Sequence, residues 1–102
     1  MPKEPNNNSR HGRHLFTILI NEDAKIKRDE FLQKMQQENI GVGVHYLSIP
    51  EHPFYKRTFG WNAQDYPNAM KIGRATVSLP LSPNLDKDDL KDIVNAVKKI
   101  LS

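Results

Sequence analysis

The chain has 102 residues, 37% of them hydrophobic and none of them cysteine, with a formal charge of +3. That length suits one domain with a modest core, and the missing cysteine excludes disulfides, thiolate chemistry and cysteine–zinc sites. The charge is uneven: Lys3, Arg10 and Arg13 against Glu4 put +2 on residues 1–14 and leave +1 for the other 88, so the body lacks the basic stripe of a nucleic-acid binder.

The opening MPKEPNNNSRHGRH has no apolar core and does not read as a secretory signal. No apolar run approaches the ~20 residues of a membrane span. The expectation is a soluble cytoplasmic protein. Residues 1–13, polar with two prolines and three consecutive asparagines, bury too little to offset the cost of ordering and predict a flexible tail or linker. Residues 14–102 then form the domain.

Leu15–Ile20 (LFTILI) is a short run of branched apolar residues and predicts a strand covered on both faces. From Arg28 to Glu38, Phe31, Leu32 and Met35 recur at helical spacing among charges, and Asn39 follows as a residue that tolerates the left-handed conformation. Gly41–Tyr46 alternates and predicts a second strand, with Val42, Val44 and Tyr46 on one side and Gly41, Gly43 and His45 on the other. Residues 47–65 carry turn chemistry with embedded aromatics and a short helical turn around Phe54–Thr58. Pro67 suits the first turn of a helix reaching about Arg74. Thr76–Pro80 predicts a third strand. Asp86, with Asp89 three residues on, caps a last helix whose stripe is Leu90, Ile93, Val94, Val97, Ile100 and Leu101. The expected fold class is α+β, an α/β two-layer sandwich: a small three-stranded sheet with helices packed mainly on one face. The second face, lined by glycines and His45, is then open to a partner.

The stretch GVGVHYLSIPEHPFY, Gly41 to Tyr55, is the chemically richest. Its glycines leave room beside His45 for something to approach the backbone, or they relieve packing against a helix. They are not a phosphate loop, because they lie inside a strand and not before a helix. His11, His14, His45 and His52 lack carboxylates at supporting spacing, so no metal site is expected. Glu51 with His52 is a conceivable acid–base pair, against the plainer reading of a solvated loop carboxylate. Ser48, Ser78 and Ser82 sit near prolines without a glycine-flanked elbow, which predicts turn and strand chemistry and no nucleophile. Tyr46, Phe54, Tyr55, Phe59 and Trp61 could stack on a base or sugar, or pin an irregular loop to the core. No catalytic residue is assigned.

The order HLFTILI, amphipathic helix, ENIGVGVHY, a His-Pro-Phe-Tyr loop with FGW, DYPNAMKIG and VSLPLSPNLDKDDLKDIVNAVKKIL resembles the C-terminal small domain of the DegT/DnrJ/EryC1/StrS family. These are sugar-nucleotide aminotransferases dependent on pyridoxal phosphate. The resemblance covers residues 14–102. It implies a larger N-terminal domain that holds the cofactor and its Schiff-base lysine, which makes that domain the partner of this one and residues 1–13 the connection. It implies that no cofactor is bound by this chain alone, and that the whole protein is a homodimer using glutamate as amino donor and a keto-sugar nucleotide as acceptor. Matched position by position, it implies substrate-side roles for His45, Tyr46, Pro53, Tyr55 and His14. The sequence departs from the family where many members carry a histidine five residues after the first. Pro50 stands there, and His52 comes two later. Arg13 stands where an aromatic often precedes the first-strand histidine. Another class of function stays open: an autonomous protein-interaction module using the open sheet face.

Overall fold

A computed structural model describes residues 3–102. Strand β1 (Phe16–Leu19) pairs antiparallel with β2 (Thr76–Leu79), in the register Phe16↔Leu79 and Ile18↔Val77. Alternation along the strands puts Ile18, Ile20, Val77 and Leu79 on one face. Helices α1 (Arg28–Gln37) and α4 (Lys87–Leu101) cover that face, and the core forms between them from Ile20, Phe31, Met35, Val77 and Ala96.

The two core helices are set by local chemistry. In α1, Phe31 and Met35 lie one turn apart and are fully buried. Asn39 takes φ 60°, and Asn39 N–H donates to Gln36 O at 3.0 Å while Ile40 N–H donates to Met35 O at 3.0 Å. That is a Schellman ending, with asparagine where glycine is commoner. In α4, Asp86 accepts from the Asp88 and Asp89 amides at 2.9 and 2.8 Å, and Asp89 accepts from the Asp86 amide at 3.1 Å. The expected capping box is complete. The stripe differs in part: Ile93, Val97, Ile100 and Leu101 pack inward, but the seam runs through Ala96, and Leu90 and Val94 stay half-exposed. A small side chain lets the helix approach its neighbours there, and an apolar pattern weighted by size overlooks it.

Between α1 and β2 the chain forms a 3-10 turn at Ile49–Glu51, α2 (Pro53–Phe59), a second 3-10 turn at Ala63–Asp65 and α3 (Pro67–Ala75). Pro53 and Pro67 each open a helix, where a missing N–H costs nothing. Gly60, at φ 65°, closes α2. Residues 3–13 are exposed and carry no helix or strand; Met1 and Pro2 of the expected linker lie outside the described residues.

The α+β class holds, with four helices among the described residues, but the sheet there has two strands and not three. Of the expected strand Gly41–Tyr46, a single bridge remains, Gly43↔Ser78, with N–H···O distances of 3.1 and 2.8 Å. An antiparallel ladder would continue with Gly41 opposite Pro80 and His45 opposite Thr76. Pro80 has no N–H to give. The Thr76 N–H already donates to Ile72 O at the end of α3, and the Thr76 carbonyl accepts from Arg28 Nη1 at 3.2 Å. Both extensions are closed by partners that the strand pattern does not register. The second sheet face is also less open than expected. Thr76 and Ser78 on β2 are buried there, whereas Thr17 and Leu19 on β1 are exposed.

Candidate functional site

Gly43 and Ser78 together position His45. Gly43 bonds to Ser78 through both backbone groups, and two residues later the imidazole folds back so that Nδ1 lies 2.9 Å from Ser78 Oγ. A Cβ at residue 43 would fall 3.1 Å from His45 Cε1. The space that the glycine leaves is therefore filled by His45's own ring, not by an approaching ligand. The Tyr46 ring stands edge-on to that imidazole at 4.8 Å and is 68% exposed. His45 itself is on the surface. The site thus presents a tethered imidazole and a free phenol side by side.

The loop that follows is an aromatic ledge. Tyr55 stacks on Phe59 at 6.0 Å and on Trp61 at 5.6 Å, and Trp61 continues to Tyr66 at 5.9 Å. Tyr55 and Phe59 meet because they lie one turn apart on α2. The rings pin the loop to itself more than to the core, since Phe54, Phe59 and Tyr66 all remain substantially exposed. Beside the ledge an open hollow of about 640 Å³ is lined by Lys56, Trp61, Asn62, Gln64, Met70 and Arg74. It offers two cations and a flat aromatic wall.

The candidate residues fall into separate groups. His45 and Tyr46 are adjacent and in contact. Tyr55 is half-buried in the ledge with His52 edge-on at 6.2 Å. Pro53 is the exposed first residue of α2 and can offer a ligand only its ring and carbonyl. His14 is exposed ahead of β1, on the opposite side of β2 from the Gly43 bridge, so the sheet does not bring it beside His45.

Glu51 is not free for acid–base work. Its carboxylate accepts from Ser48 Oγ at 3.0 Å and from Arg74 at 3.2 Å, tying the 3-10 turn to α3. Ser48 also lies 3.1 Å from Met70 Sδ, but its single proton goes to the stronger acceptor, the carboxylate. Two residues with structural consequence gave no local signal. Ser78 looked like ordinary strand chemistry, and Arg28 looked like one more charge on an amphipathic helix. Arg28 Nη1 bonds the carbonyls of Gly73 and Thr76 at 3.1 and 3.2 Å, across a sequence separation no pattern spans.

Pyridoxal phosphate needs a lysine, an acidic partner for its ring nitrogen and a phosphate cup. Three of the lysines are engaged in ion pairs: Lys34 with Glu30 at 3.1 Å, Lys91 with Asp88 at 3.4 Å and Lys99 with Glu38, while Lys56 borders a hollow without a carboxylate. Among the described residues no group of three His, Cys, Asp or Glu side chains could hold a metal ion, and no helix is long and apolar enough to cross a membrane.

Comparison with known proteins gives this arrangement its class. The sequence model of the DegT/DnrJ/EryC1/StrS aminotransferase family matches residues 1–98. The chain belongs to that family. It is 45% identical over 94 residues to the uncharacterized protein MJ1066 of Methanocaldococcus jannaschii, covering 91% of this chain and 24% of that protein. It is 38% identical over 94 residues to the spore coat polysaccharide biosynthesis protein SpsC of Bacillus subtilis, covering 90% of this chain and 24% of that one. In structure it is similar to Spr1654 of Streptococcus pneumoniae, provisionally named a sugar aminotransferase. The apo and PMP forms of that protein each match with a TM-score of 0.79 at 25% identity, over 86% of this chain and 22% of that one. The chain thus spans about a quarter of the length of the relatives it matches.

Proposed function

We propose that residues 14–102 are the small C-terminal domain of a pyridoxal-phosphate-dependent aminotransferase acting on a keto-sugar nucleotide, and that residues 1–13 connect it to a cofactor-binding domain. Pyridoxal phosphate, held by that larger domain, would supply the electron sink for moving an amino group, with glutamate as donor. This chain would supply no reacting group. Its part is to wall the substrate pocket, with His45 and Tyr46 facing the sugar nucleotide, Pro53 and Tyr55 shaping the loop behind them, and His14 at the domain's entry. The whole protein would be a cytoplasmic homodimer making amino sugars for polysaccharide.

The observation that carries this reading is the exposed apolar surface of the folded body. Tyr46, Leu47, Ile49, Phe54 and Phe59 are each 45–68% exposed, a concentration of apolar side chains that marks a surface made to be covered, and it includes part of the proposed substrate side. Family membership and the quarter-length match agree with a body that normally packs against more of its own protein.

The test is the size of the native polypeptide, read by immunoblot with an antibody to residues 86–102. A band several times larger than 11.8 kDa supports the small-domain reading. A band at that mass favours the other class, a free-standing module that binds a protein partner through the exposed part of the sheet around Thr17 and Leu19. In the longer enzyme, Tyr46→Ala should raise KM for the sugar nucleotide more than it lowers kcat, as expected when a binding contact is lost and the reacting groups are intact.

A further inference from the structure

We infer that Ser78 is a positioning residue whose hydroxyl donates to His45 Nδ1, fixing Nε2 as a standing N–H donor toward the substrate side. The inference deepens the reading above and rests on it for what the donor meets.

The hydrogen-bonding groups of the pair fix the direction of the bond. Ser78 is 5% exposed, and among the described residues the side-chain oxygen has one partner, His45 Nδ1 at 2.9 Å. Its backbone N–H and carbonyl are both spent on Gly43. Two assignments are open to the pair. If Nδ1 carried the proton and donated to Ser78, the serine's own O–H would be left buried with no acceptor. If the serine donates, Nδ1 accepts and every proton in the pair is used. A buried donor without a partner is the more costly state, so the second assignment holds. Neutral imidazole carries one proton, and with Nδ1 accepting, that proton is on Nε2.

The arrangement keeps its outward character when the ring is protonated. Nδ1 then becomes a donor and the serine hydroxyl turns to accept, at the cost of leaving its own O–H without a partner, while Nε2 keeps its hydrogen. Gly43 holds the geometry, because any Cβ there would press on the ring edge at 3.1 Å. Tyr46 stands edge-on to the ring. His45 therefore offers its surroundings a donor in both protonation states, and in the neutral state it has no lone pair on Nε2 with which to take a proton. The ligand group it recognises is an acceptor: a phosphate or carbonyl oxygen of the nucleotide sugar, not a hydroxyl that needs deprotonating.

The experiment is nitrogen NMR on the native polypeptide, deuterated and labelled with [15N]histidine, with His45 assigned by the signals lost in His45→Gln. The expected spectrum of the neutral ring has pyrrole-type Nε2 and pyridine-type Nδ1. A pyrrole-type Nδ1 overturns the inference. Ser78→Ala should release the ring into a mixture of tautomers, and Ser78→Thr, which keeps the hydroxyl, should restore the single one. An unchanged tautomer in Ser78→Ala also overturns it. Should Ser78→Ala fail to fold, Ser78→Cys, which keeps the shape but is a much weaker donor, should give the same mixture. Adding a nucleoside diphosphate separates the two levels. A shift confined to Nε2 supports the donor role. No response at His45, with the tautomer as expected, removes the substrate-side reading and leaves the serine tether standing.

Discussion

A methyl group on residue 73 would sit 3.0 Å from Ser48 Cβ and 3.1 Å from the Ser48 backbone nitrogen, whereas one on residue 41 would meet nothing within 4 Å. These two glycines look alike in the sequence and differ in what surrounds them. Gly73→Ala must push backbone against backbone and should cost about 1–3 kcal/mol in a urea titration, the usual range for overpacking. Gly41→Ala should be neutral or stabilising by up to roughly 1 kcal/mol, because it narrows only the unfolded chain's choices. Equal losses at the two positions would contradict the packing described here. The same contrast separates the histidines. His45 was legible as a candidate from its place beside two glycines. That its ring lies over Gly43 and bonds Ser78 was not legible, because the contact joins residues 33 apart and depends on where β2 runs.

At the scale of elements, the helices obey short-range rules and the sheet does not. Asp86→Ala removes the acceptor for two amides at the start of α4 and should cost about 1 kcal/mol, measured by thermal or urea unfolding. Arg28→Ala tests the junction of α3 and β2. It leaves the Gly73 and Thr76 carbonyls without their charged donor and should cost roughly 1.5–3 kcal/mol, since the arginine side chain is only 16% exposed. The ion pair between Lys99 on α4 and Glu38 after α1 is far more exposed. Lys99→Ala should therefore change stability by less than about 1 kcal/mol, and less again in high salt. A large effect at Lys99 with a small one at Arg28 would reverse this ranking. Arg28 and Lys99 carry the same charge in the sequence; burial alone makes one a fastener of the fold and the other a surface contact.

For the molecule as a whole, the exposed apolar side chains have a direct readout. The chain on its own should bind a hydrophobic dye or self-associate in sedimentation, and the same segment within a longer polypeptide should do neither, because the exposed side chains from Tyr46 to Phe59 would then be covered. A chain that stays monomeric and dye-silent would remove the need for a covering domain. Local sequence sets the α+β class, the four helical segments, the left-handed residue Asn39 after the first helix and the capping box at Asp86, because each depends on residues within a few positions of one another. It also carried the family, through the order of its motifs. Contacts distant in the chain reduce the glycine strand to one bridge, cover the second sheet face at β2 and place Ser78 against His45. The physical reason is competition for hydrogen-bonding groups. Thr76 has one N–H and one carbonyl, and whether a third strand can pair there depends on Ile72 and Arg28 having taken them first.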